Sequence, residues 1–505
     1  MSVGMIIFTV VLATVAGSYT WGMRGTIIGG EKGAVLPGAA LGLIFAFACN
    51  SLPVSSLFMI PAAVGGCAMF IGGAHTYGET IGMSYDENKK IRYKGRTGLF
   101  IKGANWFGIF GGVMGICFAA MAGRFRLWEI ALFVLLFPAV KWLGVFVLNW
   151  PQKPAQNKLP KIYFSKKRFE IWGGTLFLCI YIAVFAAIKR EWFAVIMTVV
   201  GFVSGGLGFF IGNHFQTATK AEREDGKYIL GALQRKGFVG SWKFMEFTLG
   251  ALGGLGTSLC FCLCYDRFVS VYVSEIALHG GPVPLMGEKT HNILTFVWIL
   301  LLLFYTLRFA IPEPKNYRPE VEEKYRSGAI ALDKYEDLMA YSSDKKPSRF
   351  AKALYGMEEY IIWPVFCYVP MFLSLSGNIH AAEIISFFLV FWLLADKIIF
   401  DGKHGDEKGA IVLCAVLAIT TLASLAVQLF TTYKFTAFQT FIMYSISYEL
   451  AEIYLAYNPA KMSALMKEHG SFGKALLATK SGLTVRGFSL LCVATMIIMG
   501  YFYFT

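Results

Sequence analysis

The sequence predicts an all-α, polytopic transmembrane helical bundle of about fourteen spans, built from parallel four-helix repeats. Three observations carry that prediction. Apolar runs recur from end to end of the chain, each of about 18 residues or more and so long enough to cross a hydrocarbon core as a helix. Charged residues make up only 15% of the chain, against roughly 25% in a soluble domain. The Lys and Arg residues gather in alternate loops between the runs, as they do in a chain threaded repeatedly through a bilayer.

In chain order the spans fall at 3–19, 33–50, 53–74, 99–122, 127–149, 170–188, 192–213, 244–265, 293–311, 358–377, 381–399, 409–430, 435–456 and 483–504. The first has no basic segment before its apolar stretch and reads as a spanning helix, not a cleaved signal peptide. Segment 313–352 carries Lys315, Arg318, Lys324, Arg326, Lys334, Lys345, Lys346, Arg349 and Lys352, which places it in the cytoplasm. Counting spans outward puts the basic segments 83–98, 150–168, 215–240 and 458–482 on the same side. Both termini then face outward, and the plasma (inner) membrane is the expected location. Arg124/Arg126 and Lys189/Arg190 fall on the outer side, against the trend. The connection 313–357 reads as an amphipathic helix (VEEKYRSGAIALDKYEDLMAY) capping the inner face.

Loop asymmetry accounts for the net charge of +14, so no nucleic-acid partner is implied. The expected partners are the lipid bilayer and a small-molecule solute; the oligomeric state is not specified. The 53 glycines suit closely packed membrane helices, and Gly38/Gly42, Gly108/Gly112 and Gly250/Gly254 read as packing contacts. The ten cysteines lie almost wholly inside apolar runs and read as small buried hydrophobes. Cys260, Cys262 and Cys264 are spaced two apart, which points them around a helix axis and away from a shared metal.

Internal similarity suggests the repeats. GGCAMFIGGAHTYGETIG (65–82) resembles GGLGFFIGNHFQTATK (205–220), and KGANWFGIFGG (102–112) resembles KFMEFTLGALGG (243–254). GGEKGA (29–34) returns as GDEKGA (405–410), with SYELAEIYLAYNP (447–459) in the place of HTYGETIGMSYD (75–86). The expected units are 1–125, 126–268 and 380–505, with 269–379 as a two-helix insert. An even number of spans per unit preserves orientation, as in parallel-repeat transporters.

With this topology the polar residues of the spans gather at one depth, near the cytoplasmic side. Arg24, His75, Tyr77, Lys102, Asn105, Asn213, His214, Gln216 and Lys243 are the candidate solute-binding residues. Glu31, Lys32, Glu79, Glu246, Glu407, Lys408, Glu449 and Glu452 are candidates for coupling or ion pairing. Lys and Arg at such a depth commonly reach for headgroups. A carboxylate gains nothing by that, so each glutamate needs a partner or a proton. Trp21 and Trp106 have the commoner use of Trp at this depth, as interfacial anchors.

No Walker A loop, HExxH helix or GxSxG elbow occurs, no cofactor or metal is expected, and no hydrophilic segment is long enough for a separate catalytic domain. Two functions fit. One is a secondary transporter of a small anionic or zwitterionic solute, coupled to H⁺ or Na⁺ through Glu79 and Glu452. The other is a membrane-embedded enzyme for a lipid or lipid-linked substrate, with His75/Glu79 or His214/Glu246 as acid and base. About fourteen spans with a two-helix insert, and the stretch LLADKIIFDGKHGDEKG (393–409), are similar to larger major-facilitator carriers. The four-helix units, the outward N-terminus and the lack of such a loop after the second span depart from that pattern, and no membership is assigned.

Overall fold

A computed structural model describes residues 1–24, 33–73, 77–152, 159–165, 170–225, 232–233, 240–307, 317–327, 335, 339, 344, 346–356, 363–379, 381–382, 385, 467–471 and 474. Among these residues the regular elements are helices. In chain order they are α1 (Val3–Arg24), α2 (Val35–Ala48), α3 (Leu52–Ser55), α4 (Met59–Ile71), α5 (Tyr77–Ser84), α6 (Lys89–Met121), α7 (Leu127–Leu135), α8 (Phe137–Asn149), α9 (Trp172–Ile188), α10 (Trp192–Asp225) and α11 (Ser241–Leu263). A π-helical turn, Tyr265–Val269, leads into α12 (Ser270–Leu278), followed by α13 (Glu288–Leu307), α14 (Arg318–Arg326), α15 (Arg349–Gly356) and α16 (Trp363–Leu375).

Among the described residues, five stretches are long and apolar enough to cross a membrane: Val3–Gly22, Lys89–Met121, Leu127–Asn149, Trp192–Thr219 and Ser241–Leu263. The shorter helices α2, α4 and α9 are equally apolar but span fewer residues. Leu127–Asn149 is one span in two helices, α7 and α8, broken where Pro138 enters at the start of α8 and withholds a backbone N–H. The spans expected over 381–505 lie, apart from a few residues, outside the described part of the chain. In the 313–357 connection, α14 covers the start of the expected amphipathic helix and closes at the Ser327 turn, and α15 follows beyond it; most of 328–343 lies outside the described residues.

Glycines hold the helices together at backbone distance. On α6, a Cβ added to Gly103 would meet the Gly205 carbonyl of α10, and one on Gly111 would meet the Met197 carbonyl. From the other side, Gly201 faces the Phe107 carbonyl. Gly38 and Gly42 of α2 lie in the same way against Gly65 and Pro61 of α4, and Gly250 and Gly254 of α11 against Gly17 and Ala13 of α1. Gly108 and Gly112 meet Cys179, Phe202, Thr198 and Ile182 of α9 and α10. Each pair of small residues therefore sits in a helix–helix seam, where lipid-embedded helices gain most from close van der Waals approach. The free thiols of Cys260 and Cys264 share a hydrogen bond, while Cys262 hydrogen-bonds with Thr9, so Cys262 faces a different neighbour.

These seams fix directions. Residue numbers fall on one helix as they rise on the other in α2/α4, α4/α6, α6/α10, α1/α11, α10/α11 and α8/α9. They rise together in α6/α9, where Asn105 meets Trp172 and Gly112 meets Ile182. The eight apolar passes from α1 to α11, with α7 and α8 taken as one, therefore alternate in direction. One end of the bundle collects the C-terminal ends of α1, α4, α8 and α10 and the N-terminal ends of α2, α6, α9 and α11. That end is called the basic end here, because Lys89, Lys90, Arg92, Lys94 and Arg96 open α6 there. At the opposite end α6 stops at Gly123 (φ 75°), where the Arg124 N–H reaches back to the Ala119 carbonyl in a left-handed C-cap.

Helix α6 is the axis of the described bundle. Its apolar stretch is buried along its whole length because α4, α5, α9 and α10 pack around it.

Candidate functional site

Lys102 stands where the polar start of α6 gives way to its apolar part, and its exposure is 0%. A buried ammonium is tolerable only with charge and hydrogen-bond partners. It donates to Thr80 Oγ1 at 2.6 Å and to Glu170 Oε1 at 3.3 Å, an ion pair in which both side chains are buried. The Thr80 hydroxyl in turn donates to the Phe164 carbonyl at 2.9 Å, so α5 clamps both Lys102 and the segment 159–165. Glu79, one residue earlier in the first turn of α5, accepts from Ser165 Oγ and acts electrostatically on Lys102.

Glu170 is fixed from several directions. The Phe164 N–H donates to its Oε2 at 2.7 Å, and the Ser165 amide bonds it as well. Its own backbone pairs with the side chain of Gln152: Glu170 N–H donates to Oε1 at 2.6 Å and Gln152 Nε2 donates to the Glu170 carbonyl at 2.7 Å. Beside this pair, Asn105 Nδ2 donates to the Trp172 carbonyl (3.0 Å) and Thr175 Oγ1 (2.7 Å). Asn149 Oδ1 accepts from the Gly173 N–H at 2.9 Å. The first turn of α9 is thus seated on polar side chains of α6 and α8.

A second polar group lies nearer the basic end. Asn213 and Gln216 of α10 are both buried. Asn213 Nδ2 donates to Ser84 Oγ at 2.9 Å and to Gln216 Oε1 at 3.2 Å. Thr80 and Ser84 are one helical turn apart on α5, so this short helix carries both groups. A third group joins α11 to α1: Lys243 bonds the Gly22 carbonyl at the end of α1 and pairs with Glu246 at 3.0 Å. A cation beside the last carbonyls of a helix also satisfies its dipole.

Of the residues expected at the site, Glu79, Lys102 and Asn105 are brought into one neighbourhood, Asn213 and Gln216 into the next, and Lys243 with Glu246 into another. His214 is placed apart from these partners: its Nδ1 contacts the Phe210 carbonyl of its own helix and its ring lies against Phe210 at 4.7 Å. Arg24 and Tyr77 are helical, but their side chains, like Glu31, Lys32, His75, Glu407, Lys408, Glu449 and Glu452, lie outside the described residues. Trp21 and Trp106 correct the interfacial-anchor expectation. Both are fully buried and meet edge to face at 5.0 Å, with Phe107 and Phe209 beside them. Both belong to the packed hydrophobic core.

Sequence reasoning passed over Glu170, Gln152, Thr80 and Ser165. For Glu170 a signal is present: it is a carboxylate at the start of the predicted span 170–188, the end that the loop charges place at the cytoplasmic side with Glu79 and Glu246. It also missed a network at the opposite end. Arg124 pairs with Glu191 at 2.8 Å and Glu275 at 3.2 Å, and the Tyr272 hydroxyl donates to Glu191 at 2.5 Å. Lys189 pairs with Glu129 and lies over the Trp128 ring. Two of the four cations that depart from the loop-charge trend, Arg124 and Lys189, are therefore paired with carboxylates.

No family model, curated protein or solved structure matches this chain. Its function is read from these side chains.

Proposed function

We propose that the chain is an integral membrane secondary transporter of a small anionic or zwitterionic solute, coupled to H⁺ or Na⁺. The observation that carries this reading is the Lys102–Glu170 pair, buried beside Glu79 on a helix whose apolar part has no other Lys, Arg, Asp or Glu. Ionisable groups at membrane depth are costly, and a buried pair is a poor means of stabilisation compared with well-packed apolar residues. Such groups are characteristic of solute and ion pathways. Two features support the reading. Helix α4 stops at Ile71 and the chain resumes as α5 at Tyr77, and interrupted helices are where transporters hold their ligands. Segment 159–165 brings non-helical backbone against α5 at Glu79 and Thr80, as expected only where it is buried in protein or lines a polar path.

In this reading the basic end faces the cytoplasm, both termini face outward and the host is the plasma (inner) membrane. About fourteen spans are arranged as parallel four-helix units over 1–125, 126–268 and 380–505. Lys102, Asn105, Asn213, Gln216 and Lys243 contact the solute, with Arg24, His75, Tyr77 and His214 completing the set. Glu79 and Glu452 take up the coupling ion. The enzyme alternative has less support, since His214 is bonded within its own helix and Glu246 is held by Lys243.

Reconstitution into proteoliposomes tests the proposal. A panel of labelled carboxylates and amino acids is offered under an imposed H⁺ or Na⁺ gradient. The expected result is accumulation of at least one solute by the wild type, loss of accumulation in Lys102→Met, and uncoupled exchange in Glu79→Gln with normal insertion. Gradient-driven uptake unchanged in both variants would remove these residues from the mechanism.

A further inference from the structure

Glu170 is held by groups that would hold any carboxylate. The Lys102 ammonium and the successive amides of Phe164 and Ser165 all point at it. Two adjacent N–H groups beside a cation form an anion-binding concavity. These donors belong to α6 and to segment 159–165, whereas the carboxylate enters from the residue preceding the α9 turn.

Two details make the carboxylate a removable occupant. The main chain of Glu170 is pinned independently, by the paired hydrogen bonds to Gln152, so the side chain can swing out without releasing the backbone. Lys102, likewise, stays tied to Thr80 at 2.6 Å, and Thr80 to the Phe164 carbonyl at 2.9 Å. The donors therefore keep their places with Glu170 absent.

We propose that Lys102 and the Phe164 and Ser165 amides form a carboxylate-binding site, that Glu170 fills it in the resting state, and that a carboxylate group of the transported solute takes Glu170's place. One carboxylate replaces another, so the buried ammonium is never left bare, which is the costly alternative. The exchange rests on the transport reading above; the site rests on its geometry. It narrows the solute to molecules bearing a carboxylate.

The test uses the purified full-length protein with acetate as the probe. Glu170→Ala vacates the site, and acetate is expected to raise its melting temperature at least twice as far as it raises that of the wild type. Sodium chloride at equal ionic strength serves as the reference. Glu170→Gln keeps the place filled with a neutral isostere and is expected to show no such extra response. The double variant Lys102→Met/Glu170→Ala, lacking the ammonium, is expected to lose it. Where Glu170→Ala does not accumulate, Glu170→Ser empties the same place. An acetate response no larger than that to chloride, or one that persists in the double variant, overturns the proposal. Failure of the transport reading is distinguishable: reconstituted wild type would move no solute while the acetate response of the vacated variant remained.

Discussion

Lys102 and Glu170 come from positions 68 residues apart, and each is tolerable at its depth because of the other. Removing one partner of a buried pair typically costs about 3–5 kcal/mol, because the remaining charge is left uncompensated. Lys102→Met is therefore expected to lower the melting temperature sharply, and Lys102→Met/Glu170→Leu to recover much of the loss; equal losses in single and double variants would show that the charges do not depend on each other. At the opposite end, Glu191→Gln removes the charged acceptor shared by Arg124 and buried Tyr272. A loss of about 1–3 kcal/mol is expected, read as a melting shift; no shift would mean the network is incidental.

Helices α6 and α10 meet through glycines, and at that scale the prediction concerns space. Gly201 faces the Phe107 carbonyl and Gly103 the Gly205 carbonyl, backbone atoms that cannot rotate away as a side chain can. Gly201→Val or Gly103→Val must push the helices apart and remove contacts along the seam. Either should lower the melting temperature by several degrees and reduce the monodisperse fraction in size-exclusion chromatography. Gly82→Val serves as the control, since nothing lies within 4 Å of an added Cβ there. Similar behaviour of all three would mean the effect is one of helix propensity and not of packing. Helix α5 is the element most directly tied to the candidate site. It is only eight residues long, yet Thr80 and Ser84 place it between Lys102 and Asn213.

Across the whole molecule the alternation of directions from α1 to α11 makes a topological prediction. Asn88 lies at the start of α6 and Leu278 at the end of α12, both exposed, and the register of the seams puts them at opposite ends of the bundle. Cysteines introduced at Asn88 and Leu278 should react with an impermeant thiol reagent from opposite sides of a sealed vesicle. Labelling of both from the same side would refute the alternation.

The sequence by itself determined that this is a helical chain with apolar segments able to span a membrane, and roughly where those helices begin and end, because hydropathy and glycine spacing are local properties. The predicted spans at 127–149 and 170–188 match α7/α8 and α9 closely. The spans begun at 99 and ended at 213 fell short, since α6 and α10 run on as polar helices beyond their apolar parts. Pairing was beyond a local reading. That Lys102 would meet Glu170 and not Lys243 or His214 depends on which helices become neighbours, and so does the burial of Trp21 and Trp106. A seam between distant segments is set by the shapes of both partners at once, and only the tertiary structure contains that information.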